Sequence, residues 1–459
     1  MTEVSTRSIA LECIMLTAEE HRFSHTVLND AREKYAWMSA EDRAFFTRLV
    51  HGTLEYLVQA DRILEPRSSV KVRKMKPVIR NILRMSVYQL LYMDRVPARA
   101  VISEAVKLAE KRGFRGLKGF VNAILRRIAS EREEILKKLK STEDLSLRCS
   151  MPEWMVRFFL SFLDRETAEA VMTAFLRQNP SYVRILGDGK AEKEEELPPG
   201  FRRAALCPDV CIPEEGAGEK MLTLLRSGKA YIQDLSSALA VRAAAPAPGE
   251  TVLDLCAAPG GKSIAAADLM GKQGTVYSFD LTEAKAELIR ENAERCGMAG
   301  TIRTGVRDAE VFREDLKETA DLVIADLPCS GLGVLGQKPD IRLNTRPEDL
   351  ETLPGLQRRI LKNAAGYVKP GGRLLFSTCT LNPAENEENR RWFLEQEQGF
   401  SPIDLRSRLP ELAAEEEKAV RTGKRKESGL SRGEMRLMPD LYPCDGFYFA
   451  LFEKRAEGT

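Results

Sequence analysis

The stretch Asp254-Leu-Cys-Ala-Ala-Pro-Gly-Gly-Lys-Ser263 (DLCAAPGGKS) decides the fold. An apolar run, Thr251–Leu255, leads into it, and a helix-like segment, Lys262–Met270, leads out. A strand that turns through paired glycines into a helix reads as part of an open α/β sheet. Such sheets bind ligands beyond the carboxyl ends of their strands. Gly260 and Gly261 allow close backbone approach, and the following helix start accepts an anion, a carboxylate as readily as a phosphate. The spacing departs from the dinucleotide pattern G-x-G-x-x-G.

Downstream, strand-like runs at Thr275–Asp280, Gly300–Gly305, Asp321–Leu327 and Arg373–Thr378 alternate with helical Thr282–Cys296 and Glu348–Val368. Gly446–Phe452 reads as a late strand at the sheet edge. The alternation predicts a parallel sheet. Its strand ends carry the chemistry. Asp280 is placed to take two ribose hydroxyls, and Asp308 to meet an adenine edge. With the glycine turn, these suit an aminoacyl-nucleoside such as S-adenosylmethionine. Each aspartate alone reads equally as a cap or turn residue. Two thiols follow neighbouring strands, in Asp326-Leu-Pro-Cys329-Ser-Gly and Ser377-Thr-Cys379-Thr, with Pro383 and Glu385-Asn386 just after. One such cysteine reads as a small core residue; two at strand ends read as a nucleophile beside a bound cofactor.

The chain has 459 residues, enough for two or three domains. With 43% hydrophobic and 30% charged residues it is a globular composition. No apolar run reaches the ~18 residues of a membrane span and no secretory signal is visible, so the expectation is a cytoplasmic protein without membrane contact. The nine cysteines are accordingly read as thiols. Cys207 and Cys211 lack a second ligand pair, so no metal site is expected. The three histidines, His21, His25 and His51, all lie near the N-terminus, which excludes histidine-based triads from the rest of the chain.

The formal net charge is +2, but residues 1–150 hold 28 Lys+Arg against 19 Asp+Glu, and the remainder 42 against 49. A basic module meeting a polyanion is implied. Helical spacing over Ser5–Glu20, Asp42–Ile63, Lys76–Met93 and Pro97–Arg112 predicts an all-helical bundle. Basic residues concentrate at Arg62, Arg67, Lys71, Arg73, Lys74, Lys76, Arg80 and Arg84, opposed locally only by Glu65, and again at Lys111, Arg112, Arg115, Lys118, Arg126 and Arg127. The domains are read as residues 1–140, the bundle; 141–235, a connecting helical and small α+β RNA-binding region; and 236–459, the α/β domain. Lys190–Gly200 is read as an exposed loop, and Arg421–Arg436 as irregular.

The N-terminal segment resembles RNA-binding domains of the NusB type, on Arg7–Ala10, Asp42–Gly52 (DRAFFTRLVHG), Arg80–Leu90 (RNILRMSVYQL) and Val96–Gly119. DLCAAPGGKS, DLPCSG and STCT, in that order, resemble the RNA cytosine-5 methyltransferases. The NusB-like start points to their RsmB/Sun/Fmu group, which acts on 16S rRNA. The resemblance covers nearly the whole chain and implies a Rossmann-like class I methyltransferase domain with a mostly parallel sheet. It implies S-adenosylmethionine as cofactor, held by Cys256, Ala257, Ala258, Pro259, Gly260, Gly261 and Lys262, with Asp280, Asp308 and Asp326. It implies Cys379 as the nucleophile toward cytosine C6, Cys329 in product release, and Asp326 on the base. Tyr231-Ile-Gln233-Asp234 resembles the family's lead-in to the site, and Asn179 and Arg184 its substrate-side motif. Gly336-Gln-Lys338-Pro-Asp340 stands where an arginine-rich version is common in the family, with Lys338 and Arg342 read as supplying the lost charge. The implied partner is 16S rRNA, naked or in an early assembly intermediate, met by a monomer; DNA is disfavoured. Two other readings stay open: the same chemistry on tRNA, and an RNA-binding factor with an idle methyltransferase fold.

Overall fold

The computed structural model describes residues 5–187 and 197–456. They gather into two compact units, Met1–Gln178 with Leu335–Thr345, and Asn179–Val334 with Arg346–Thr459. The first is all-helical, and the second is α/β around a mostly parallel sheet. The expected loop at Lys190–Gly200 lies outside the described residues as far as Glu196. No described helix is long and apolar enough to cross a membrane.

In the helical unit, apolar stripes face one core that includes Ile9, Ile14, Phe46, Leu49, Ile82, Leu83 and Ile124. Polar caps set helix starts: Ser39 accepts the Asp42 N–H at 3.0 Å, and Asp164 accepts that of Thr167 at 2.9 Å. The segment read as one helix over Asp42–Ile63 is two, Ala40–Glu55 and Leu57–Leu64. The break falls at Tyr56, whose ring stacks on Tyr92 with centroids 4.1 Å apart. Tertiary stacking there overrides helix periodicity. One turn earlier, Gly52 packs so closely on Tyr88 that an added Cβ would lie 2.0 Å from its ring. Gly52→Ala should therefore destabilise the protein by about 1–3 kcal/mol despite its better helix propensity, read as a lowered Tm.

The basic clusters look different in three dimensions. Arg84 pairs with Asp61 through two 2.7 Å bonds, Arg67 with Glu131 at 2.7 Å, and Arg62 and Arg80 with Asp144 and Glu19. These acids, Asp61, Glu131, Asp144 and Glu19, all lie outside the run Arg62–Arg84, so the linear count overstated the free charge. Lys71, Arg73, Lys74 and Lys76 are exposed, with no carboxylate within 4.0 Å among the described residues. Arg342 is corrected too. On the short helix Ile341–Asn344 it is buried, near Glu55, and so supplies no surface charge, whereas Lys338 is exposed.

The second unit begins with a small antiparallel sheet of β1 (Val183–Ile185), β2 (Phe201–Ala204), β3 (Cys207–Pro213) and β4 (Ala230–Ile232), in the order β2-β3-β1-β4. The main sheet holds β5 (Thr251–Asp254), β6 (Thr275–Asp280), β7 (Ile302–Val306), β8 (Ala320–Asp326), β9 (Val368–Thr378), β10 (Phe400–Pro402), β11 (Glu434–Leu437) and β12 (Phe447–Lys454). Its order is β10-β12-β9-β8-β5-β6-β7, with β11 pairing β12. Strands β5 to β9 run parallel, and β12 is antiparallel to β9. Leu322–Ala325 and Leu374–Phe376 are buried, as strands covered on both faces must be. Register aligns Asp254 with Ile324, and Asp326 with Ser377, so the glycine turn and both cysteine loops leave the same sheet edge.

Candidate active site

Beyond β5 the chain turns through Gly260, at φ 105°, into the helix Gly261–Leu269. The positive φ explains the first glycine. The second is needed for closeness, since a Cβ at Gly261 would lie 3.2 Å from the Tyr231 ring. Asp280, at the end of β6, braces this loop: its Oδ2 accepts the Ala258 N–H at 3.0 Å, and Lys285 pairs with Oδ1 at 2.9 Å. Asp308 is exposed past β7, and its Oδ1 accepts the Glu310 N–H at 2.9 Å.

A cavity of about 160 Å³ opens here, lined by Tyr231 to Asp234, Asp254, Cys256 to Pro259, Gly261, Lys262 and Asp326. Asp254 is fully buried. Its Oδ2 accepts the Ser263 hydroxyl at 2.7 Å, while its Oδ1 has no hydrogen-bond partner. Burial raises its pKa to about 7, with Ser263 and Lys262 opposing. Burial also raises the Cys256 thiol, so this cysteine packs rather than ionises.

At the end of β8, Asp326 receives the Lys262 ammonium on Oδ2 at 2.6 Å and the Ser377 hydroxyl on Oδ1 at 2.7 Å. Burial works against the Lys262 charge, but Asp326, Asp254 and Cys379 outweigh it and hold its pKa above normal. The Cys329 and Cys379 sulfurs lie 3.3 Å apart, and both residues are partly exposed. The hydrogen bond to Cys379, then burial of the sulfur, pushes the Cys329 thiol well above its ordinary range.

A buried polar network holds the two cysteine loops together. Glu385 accepts the Ser330 N–H at 2.9 Å and its hydroxyl at 2.5 Å, and also the Gln357 and Asn382 amides at 2.8 and 2.9 Å. The Ser330 and Thr380 hydroxyls meet at 2.7 Å, joining the residue after one cysteine to the residue after the other. Glu385, Gln357, Asn382 and Asn389 are essentially inaccessible. The sequence showed Glu385-Asn386 beside STCT but assigned neither a role; a carboxylate soon after a strand-end thiol was the available signal.

Tyr231 to Asp234 do line the cavity, but Arg184 does not reach a substrate face. It is buried, bonds Gln233 at 2.9 Å and pairs with Asp268 at 3.0 Å, and Gln233 in turn donates to the Gly261 carbonyl at 3.2 Å. Arg184 anchors the small sheet to the helix that follows the glycine turn. Among the described residues no group of three His, Cys, Asp or Glu could hold a metal ion.

The family model described as 16S rRNA methyltransferase RsmB/F matches residues 241–453, and that of the NusB family matches 4–130. The probable ribosomal RNA small subunit methyltransferase B of Bacillus subtilis is 34% identical, over 99% of this chain and 100% of that protein. The chain belongs to this family of small subunit rRNA methyltransferases. The probable ribosomal RNA small subunit methyltransferase B of Synechocystis is 30% identical, covering 98% of this chain and 100% of its own. The crystal structure of PH0851 superposes with a TM-score of 0.77 at 25% identity, over 98% and 99% of the two chains. As a family member, the chain is a methyltransferase with a NusB domain ahead of its catalytic fold.

Proposed function

We propose that this protein methylates C5 of a cytosine in 16S rRNA, using S-adenosylmethionine and a covalent bond from Cys379 to C6. The observation that carries the reading is the pair of sulfurs 3.3 Å apart, with the Asp326–Lys262 pair between neighbouring strand ends. An idle RNA-binding protein has no physical use for that combination.

The cavity suits the cofactor. Asp254 Oδ1 is a buried acceptor awaiting a donor, fitting an ammonium, and the helix start at Gly261 favours a carboxylate. Asp280 and Asp308 would serve the ribose and adenine. When bound, S-adenosylmethionine supplies an activated methyl group. Because Asp254 must be ionised to pair with an ammonium, binding should release a proton below its pKa of about 7. Cofactor affinity should then rise about tenfold per pH unit below that value and level off above it, with the slope lost in Asp254→Asn, as calorimetry across pH can show. The sign for folding is opposite. A raised carboxylate pKa favours the fold at low pH, and that contribution is lost as pH rises through about 7.

The base chemistry falls to the two thiols. Cytosine C5 is a poor nucleophile. Addition of the Cys379 thiolate to C6 breaks the C5–C6 double bond and places electron density on C5, which can then accept a methyl group. Asp326, held by Lys262 and Ser377, meets the N3/N4 edge and stabilises the protonated ring. A water molecule takes the C5 proton, the double bond is restored, and the Cys379 sulfur leaves as Cys329, 3.3 Å away, passes it a proton. The target must be unstacked, which costs least in a single-stranded loop. Labelled S-adenosylmethionine and unmodified 16S rRNA test this reading. Label should appear in 5-methylcytidine; label in another nucleoside, or in tRNA instead, overturns it.

A further inference from the structure

We propose that Cys329 and Cys379 form a peroxide-driven disulfide, reversible by thiols, so that the catalytic pair is also an oxidative modification site. The proposed catalytic roles matter here only for the effect on activity; the bond itself follows from placement. The sulfurs are 3.3 Å apart, and a disulfide requires a further approach of about 1.2 Å. Each thiol sits on a loop leaving adjacent parallel strands, and Ser330, Thr380 and Glu385 tie those loops to each other. The pair is therefore held in register instead of meeting by chance. Both residues are partly exposed, whereas Cys13, Cys149, Cys207, Cys211, Cys296 and Cys444 are buried. A small oxidant reaches this pair in preference to those six.

The chemistry balances with hydrogen peroxide as oxidant. The Cys379 sulfur attacks one peroxide oxygen, the O–O bond breaks, and a sulfenic acid and water result. The Cys329 sulfur then attacks the sulfenic sulfur, its proton leaves with the hydroxyl as a second water, and the S–S bond forms. Two thiols have been oxidised and one peroxide reduced to two waters. With Cys379 in the disulfide, no thiolate remains to add to C6.

The test treats the full-length protein with hydrogen peroxide, then digests it without reductant. The expected product is the Cys329 peptide linked to the Cys379 peptide, two hydrogen masses below their sum. Methyl transfer should fall to background and return with dithiothreitol. In Cys329→Ser, folding being checked by circular dichroism, the link should be absent and Cys379 should proceed to oxidised forms that dithiothreitol does not reverse. Peroxide that leaves both thiols open to alkylation, or links either to Cys256, overturns the proposal. A link that forms while methyl transfer continues would uphold the modification site and refute the catalytic assignment, so the two failures are distinguishable.

Discussion

Cys379→Ala should abolish methyl transfer, and Cys329→Ala should accumulate a protein–RNA adduct that survives denaturation. The asymmetry rests on surroundings. Cys379 is electrostatically coupled to Lys262, whose ammonium is stabilised in part by the charge of that sulfur. Cys329 shares a hydrogen bond with Cys379, and that bond and burial push its thiol well above the ordinary range, so it does not compete for C6. Loss of the nucleophile removes the covalent route altogether, a rate loss of roughly four orders of magnitude or more. Loss of Cys329 should leave addition and methylation intact and stall release. Both variants remove one small side chain from a partly exposed position, so their thermal transitions should stay close to that of the parent. Denaturing gels with labelled RNA separate the outcomes, and an adduct confined to Cys379→Ala would exchange the two roles.

Glu385→Ala has the next largest effect, on stability and activity together. Its carboxyl group is the shared acceptor for Ser330, Gln357 and Asn382, all buried. Alanine leaves the Ser330 N–H and the Asn382 amide short of an acceptor in a place water does not reach, while the Gln357 amide keeps the Pro328 carbonyl and the Ser330 hydroxyl keeps Thr380. Each unsatisfied buried group costs about 1–3 kcal/mol, and partial relaxation brings the sum to about 3–5 kcal/mol. The larger consequence is local. With the acceptor gone, only the Ser330–Thr380 hydroxyl contact of that network still ties the two cysteine loops, and the common register of the thiols loosens. A misplacement of about 1 Å can cost on the order of a hundredfold in rate. Glu385→Gln keeps shape and restores part of the bonding, so it should recover stability more than rate. A positioning role predicts a fall in kcat with cofactor affinity unchanged. A fall in Tm with normal kcat at low temperature would reduce Glu385 to a structural part.

The sheet was legible because its strands are apolar and end in chemically distinctive turns; DLCAAPGGKS, DLPCSG and STCT all leave one edge of it. The helices Glu387–Gln396 and Pro410–Arg421 leave no clear periodicity in the sequence, and Arg421–Arg436, irregular by sequence, contains Glu434–Leu437, which pairs with Phe447–Lys454. The reason is charge. Glu416 is buried and pairs with Arg425 at 2.7 Å, with the Tyr442 hydroxyl donating to it as well. A segment that buries its charges in pairs looks solvent-facing in a linear reading. The same effect hides the pairing of the basic cluster Arg62–Arg84, whose acids lie outside that run, and of Arg184 and Arg342, whose charges face inward. Among the site residues, Lys262 and Asp326 were visible as types, but their 2.6 Å pairing and the Glu385 network depend on which loops the sheet brings together.

The most direct measurement uses 16S rRNA carrying 5-fluorocytosine. Fluorine at C5 cannot depart as a proton does, so an enzyme that bonds to C6 and methylates C5 cannot release its product. A complex that survives denaturation, requires S-adenosylmethionine and maps to the peptide bearing Cys379 is the predicted result. No complex, or one mapped to Cys329, would contradict the account.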